Sequence, residues 1–179
     1  MTKEYNYRNC LSLFGYAEGV HKRSGGICQL CGAGKGKPID FDLWRQLTVE
    51  HLIGNSQGGY LNQIRDAIYK RFPNLSDTQK EELAQRINRA NTVTACHFCN
   101  SLTSRNKNFD MTDLILNAKG EPDEVVDEVI LRIKDVLKHK QIDVNKKIDS
   151  VRDAFNRLIK PELAKHSGRS YPPSISIIG

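Results

Sequence analysis

The sequence predicts an α+β domain in which a short β hairpin is surrounded by helices. Three observations carry that expectation: two CxxC pairs lying far apart, β-rich stretches close to each pair, and helical periodicity between and after them. A chain of 179 residues fits one domain, or one domain with a helical appendage, and buries a sizeable core without needing disulfides.

Hydrophobic residues make up 39% and charged residues 27%, as in soluble globular proteins. No apolar run approaches the roughly 20 residues that span a bilayer. The start, MTKEYNYRNC, lacks the apolar core of a signal peptide, so the expected setting is a reducing cytoplasm without membrane attachment.

The formal charge of +6 favours a polyanionic partner. Between Glu18 and Asp40 there is no acidic residue, while His21, Lys22, Arg23, Lys35 and Lys37 fall there. From Leu83 to Phe109 there is again none, with Arg86, Arg89, Arg105 and Lys107 inside. Each acid-free window surrounds a CxxC, which favours nucleic-acid contact over a merely solvated basic face.

The cysteine pairs are CQLC (Cys28, Cys31) and CHFC (Cys96, Cys99). Two residues between thiols let both sulfurs of one turn reach the same ion, and two such knuckles supply a tetrahedral site that suits structural Zn²⁺. Disulfides are the competing reading, but a cytoplasmic setting disfavours them. Redox pairs at both ends of one domain would be unusual. Simple zinc ribbons place about 15 to 20 residues between their pairs; here the separation is more than three times larger, so the metal would tie together the ends of an inserted segment. Cys10 reads as a buried small hydrophobe, and His97 as facing solvent or phosphate.

Taken in order, an N-terminal extension (1–19) with Tyr5, Tyr7, Phe14 and Tyr16 leads into the first knuckle, and GAGKGKP forms a loop. FDLWRQLTVEHLI reads as a strand with Leu43, Leu47 and Val49 on one face and Gln46, Thr48 and Glu50 on the other, closed by the turn NSQGG. A helical insert (61–90) follows. Its first helix carries Leu61, Ile64 and Ile68 and stops before Pro73; Ser76 to Gln79 resembles a capping box opening the second. NTVTAC is a short β stretch, and the residues after Cys99 start a helix containing Asn100.

The C-terminal region (111–179) holds two amphipathic helices. EPDEVVDEVILRIKDVLKHK presents Val126, Ile130, Ile133 and Leu137, and NKKIDSVRDAFNRLIK presents Ile148, Val151, Phe155 and Leu158 before Pro161. Both stripes read as core or dimer interface. The SISIIG tail adds a strand or becomes ordered on a partner.

CQLC, VEH followed by QGG, NTVTAC and CHFCN, in that order, resemble the HNH endonucleases of the ββα-metal class, in the variety whose hairpin and helix are held by a four-cysteine zinc. The matched stretch covers roughly residues 20–107 within a core of 20–110. The resemblance implies an HNH core that hydrolyses DNA phosphodiester bonds. In it His51 is the general base, Glu50 at the family's usual aspartate position and Asn100 bind Mg²⁺ or Mn²⁺, and Asn91 braces the hairpin. Cys28, Cys31, Cys96 and Cys99 hold zinc, while Arg105, with Lys107 behind it, contacts phosphate. Glutamate in place of aspartate, and the long insert, depart from the family pattern. Neighbours on a regular strand face opposite ways, so the strand must bend or end at this pair if Glu50 and His51 are to address one phosphate, with Gly54, Asn55 and Gly58-Gly59 offering that freedom.

A compact chain of this type looks most like a type II restriction enzyme acting as a homodimer on double-stranded DNA. A homing or phage nicking endonuclease is the alternative within enzymes. A zinc-stabilised nucleic-acid-binding module without catalysis is the alternative outside them.

Overall fold

The computed structural model describes residues 16–38, 40–54, 60–103 and 109–166. Cys10, Arg105, Lys107, the turn at 55–59, the earlier N-terminal aromatics and the SISIIG tail lie outside the described residues. The fold is mixed α+β and mostly helical, and its described sheet is one antiparallel pair. It divides into two units, Met1–Asn145 and Lys146–Gly179.

In the first unit the order is α1 (Tyr16–Arg23), α2 (Phe41–Trp44), β1 (Leu47–His51), α3 (Tyr60–Arg71), α4 (Asp77–Asn91), β2 (Thr92–Cys96), α5 (His97–Leu102), α6 (Met111–Asn117) and most of α7 (Pro122–Ala154). β1 and β2 pair from Leu47↔Cys96 to His51↔Thr92. Helix α5 begins at the residue after β2, so a strand, its partner and a helix form one corner. Helix α1 packs against the pair through polar groups. His21 Nδ1 lies 2.9 Å from Thr94 Oγ1, and the Ser24 hydroxyl donates to the same oxygen at 2.8 Å.

The first strand is shorter than its sequence suggests. Asp40 caps a helical turn over Phe41–Trp44 by accepting from the Leu43 amide at 2.8 Å, so the extended chain starts only at Leu47. An Asx cap competes with extension locally, and here it wins. Burial along β1 does not follow a simple two-residue alternation: Leu47 and Glu50 are buried, whereas Thr48, Val49 and His51 are half-buried.

The insert folds as two helices, and its capping box forms with Ser76 and Gln79 bonded reciprocally. Ile64, Ala67 and Ile68 from α3 and Leu83, Ala84 and Ile87 from α4 enter the main core with Val125, Val126, Val129 and Ile133 of α7. Each fully buried aliphatic side chain contributes about 1.5–3 kcal/mol relative to exposure. The insert and the α7 stripe therefore stabilise one another, and Val126 and Ile133 are occupied within the chain.

Helix α7 also corrects the expectation of two separate helices. Gln141 to Val144 contains neither Gly nor Pro, so nothing ends the helix between them, and it continues for 33 residues. In the second unit the end of α7 is followed by a π-helical turn, Phe155–Ile159, and by α8 (Lys160–His166). No described residue of that unit is buried, and Val151, Phe155 and Leu158 are exposed.

Candidate functional site

The knuckles converge. The Sγ atoms of Cys28, Cys31, Cys96 and Cys99 all lie within 4.8 Å of one another, with Cys31 and Cys96 4.0 Å apart. A tetrahedral ion bound at about 2.3 Å sets its sulfurs about 3.8 Å apart, so the cluster fits zinc. The first knuckle turns because Gly32 adopts φ +77°, where its amide donates to the Cys28 carbonyl at 2.8 Å. It is tied to β2 by Gln29, whose amide donates to the Thr94 carbonyl at 2.8 Å and whose side-chain oxygen accepts from the Thr94 amide at 3.0 Å. The second knuckle is the junction of β2 and α5.

The thiols themselves register the crowding. A hydrogen bond from Cys96 draws the Cys28 thiol down to about 4. That same bond, followed by burial, pushes the Cys96 thiol up, and burial pushes Cys99 up. A cation among the four sulfurs would favour their thiolate forms.

Two of the catalytic candidates, Glu50 and Asn100, sit in the same corner. Glu50 is 9% exposed and faces Lys140 of α7, itself 7% exposed; the ammonium donates directly to Glu50 Oε1. The Thr103 hydroxyl lies 3.5 Å from the same oxygen and 3.2 Å from the Asn100 carbonyl, its one proton serving either acceptor. The Asn100 amide donates to Thr48 Oγ1 at 3.1 Å, bridging α5 to β1. Glu50, Thr48, Asn100 and Thr103 thus share one corner, on the face set by alternate strand positions 48 and 50.

His51 lies elsewhere. Its ring stacks on Tyr60 at the start of α3, with centroids 3.9 Å apart and planes inclined by 13°. Burial lowers its pKa to about 4. The strand keeps its alternation through this pair: Glu50 and His51 have partners on different elements, Lys140 on α7 and Tyr60 on α3. Gly54, just beyond, is packed against the Tyr60 ring so closely that a Cβ there would overlap it.

Asn91 is fully buried and grips the chain after β1. Its side-chain oxygen accepts from the Ile53 amide at 2.9 Å, and its Nδ2 donates to the Ile53 carbonyl at 2.8 Å. This holds the exit from β1 against the end of α4.

A hard divalent ion at Glu50 and Asn100 does not fit this arrangement. The carboxylate's charge is already compensated by the Lys140 ammonium, and the Asn100 amide is engaged with Thr48 Oγ1. Lys140, Thr103 and Tyr60 were not among the residues anticipated. Lys140 had a legible signal, because it falls in phase with Val129, Ile133, Val136 and Val144, and a charge on a buried stripe needs a partner.

Several basic residues of the insert are engaged within the chain. Arg65 makes a two-pronged contact with Glu81, both bonds 2.7 Å, and these bonds hold the Glu81 carboxyl down to about 2. Arg71 donates to the Leu116 carbonyl at 2.6 Å and to that of Ala118, and Arg86 bonds Asp123 and, at 3.2 Å, Asp127. Arg89 and Lys70 are exposed. No described helix is long and apolar enough to cross a membrane. No protein-family model, curated protein or solved structure matches the chain.

Proposed function

We propose that the chain is an HNH-type endonuclease that hydrolyses phosphodiester bonds in double-stranded DNA. The observation that carries this reading is the corner itself: the second of two antiparallel strands runs directly into a short helix, a four-cysteine cluster lies at that junction, and Glu50-His51 ends the first strand, with Glu50 linked to Asn100 of the helix through Thr103. The basic balance of the chain suits a polyanionic substrate.

In this reading His51 takes the proton from the attacking water. A base must be unprotonated to act, and burial keeps this imidazole neutral at neutral pH. Asn91 positions His51 indirectly by fixing the chain at Ile53, and zinc in the cysteine cluster holds strand to helix. Mg²⁺ at Glu50 belongs to the family pattern, whereas in this chain Lys140 already holds that carboxylate. Type II restriction, with a homodimer on a palindromic site, is the form of the activity we favour, because two-fold symmetry lets each subunit cut one strand.

A second reading, a zinc-stabilised DNA-binding module without catalysis, is favoured by one observation: Glu50 is tied to Lys140 and His51 is stacked under Tyr60. Incubating purified protein with supercoiled plasmid and Mg²⁺ or Mn²⁺ separates the two. The nuclease reading expects cleavage that His51→Ala abolishes, and sequenced ends at discrete sites for restriction-type specificity. DNA binding without cleavage, or equal cleavage by His51→Ala, sinks it.

A further inference from the structure

We propose that Lys140 is the resident cation of the Glu50 site and excludes divalent ions from it, so that the lysine and a metal ion are alternative occupants of one carboxylate. The inference rests on the nuclease reading only for its bearing on catalysis, where it means that α7 closes the position at which the family pattern places a metal.

Three features of the chain support it. Lys140 lies between Val136 and Val144 on the buried stripe of α7, so its helix position, rather than a chance side-chain excursion, brings it inward. Its ammonium and the Glu50 carboxylate are both withdrawn from water, at 8% and 11% side-chain exposure, and touch directly. An ion pair so enclosed is far less screened than one at the surface. Finally, among the described residues Glu50 belongs to no group of three or more histidine, cysteine or carboxylate donors. An incoming divalent ion would therefore have to share the Glu50 charge with an ammonium already in contact with it. Hard cations such as Mg²⁺ and Mn²⁺ bind through anionic oxygens, and the Glu50 carboxylate is already compensated by Lys140.

The test needs no DNA. Zinc-loaded protein is titrated with Mn²⁺, and free Mn²⁺ is read by electron paramagnetic resonance for wild type, Lys140→Met, Glu50→Gln and the double variant. Zinc content and circular dichroism check that each variant is folded. Wild type is expected to show no Glu50-dependent Mn²⁺ site up to millimolar concentration. Lys140→Met is expected to gain one, binding roughly tenfold or more tighter, which the double variant loses and excess Mg²⁺ displaces.

The proposal is overturned if wild type binds Mn²⁺ at a site that Glu50→Gln removes, or if folded Lys140→Met gains nothing. Should Lys140→Met not fold, the comparison of wild type with Glu50→Gln decides alone: a Glu50-dependent site in wild type refutes exclusion, and its absence upholds it. A protein that shows this exclusion yet never cuts DNA would defeat the nuclease reading and leave the Lys140 assignment standing.

Discussion

The His51 imidazole lies nearly parallel to the Tyr60 ring, 3.9 Å away, and this contact covers one face of the proposed base. Burial is what lowers its pKa to about 4, so opening that face should raise it. Tyr60→Ala is expected to move the His51 midpoint up toward the ordinary value near 6.5, read by NMR titration of the histidine ring signals. Gly54→Ala, which pushes the Tyr60 ring aside, should move it the same way by less. An unchanged midpoint in Tyr60→Ala would mean the stack does not set the base.

The same shift links stability to pH. His51 binds its proton more weakly when folded, so between pH about 4 and 6.5 the unfolded chain holds more protons. The His51 contribution is therefore fully present above pH 6.5 and is lost as pH falls through that window. Thermal melts of wild type and His51→Asn at stepped pH should diverge there, with wild type losing more stability on acidification. Because the cysteine cluster is common to both proteins, its own acid sensitivity cancels in the difference.

Asn91 satisfies both backbone groups of Ile53 in a place fully closed to water. Asn91→Ala leaves a buried amide and a buried carbonyl without those partners, each costing about 1–3 kcal/mol, for an expected loss of about 2–4 kcal/mol in urea unfolding. Asn91→Asp should also destabilise, since its carboxylate can still accept from the Ile53 amide but opposes the Ile53 carbonyl. A loss under about 1 kcal/mol in both variants would show that water or the chain itself replaces the bracing.

The cysteine cluster should carry about one zinc per chain after extensive dialysis, by elemental analysis. Cys99→Ser, at a fully buried ligand position, should lose that zinc and lower the melting temperature, as should a strong chelator acting on wild type. Wild type lacking zinc, with a melting temperature indifferent to chelation, would remove the metal from the account.

Part of this was legible in the chain because local chemistry decides it. The CxxC pairs, the Ser76 to Gln79 box and the apolar spacing of α3 and α4 each specify their own structure within a few residues. The strand over Phe41–Trp44 was misread because Asp40 offers its carboxylate to the Leu43 amide, a cap worth as much as the β propensity it overrides. The Glu50 partner was hidden for a different reason: Lys140 lies 90 residues away, and only tertiary packing brings the two together. His51 and Glu50 are neighbours in sequence, yet strand alternation gives them partners on different helices.

The arginines of the insert separate a stabilising role from a nucleic-acid role. Arg71 holds the C-terminal carbonyls of α6 at Leu116 and Ala118, and Arg86 joins α4 to the start of α7 through Asp123 and Asp127. Side chains so engaged have little left to offer a phosphate. Arg71→Met should cost about 1.5–3 kcal/mol in denaturant unfolding, the range for a hydrogen bond from a charged group, while leaving the salt dependence of DNA affinity unaltered. Arg89→Ala, at an exposed position on α4, should scarcely affect stability. If α4 lies along the duplex, Arg89→Ala reduces the slope of log affinity against log salt by about one phosphate contact. A reduced slope in Arg71→Met with unchanged stability would reverse the assignment, making the insert a DNA-contacting surface through the very residues that here tie it to α6.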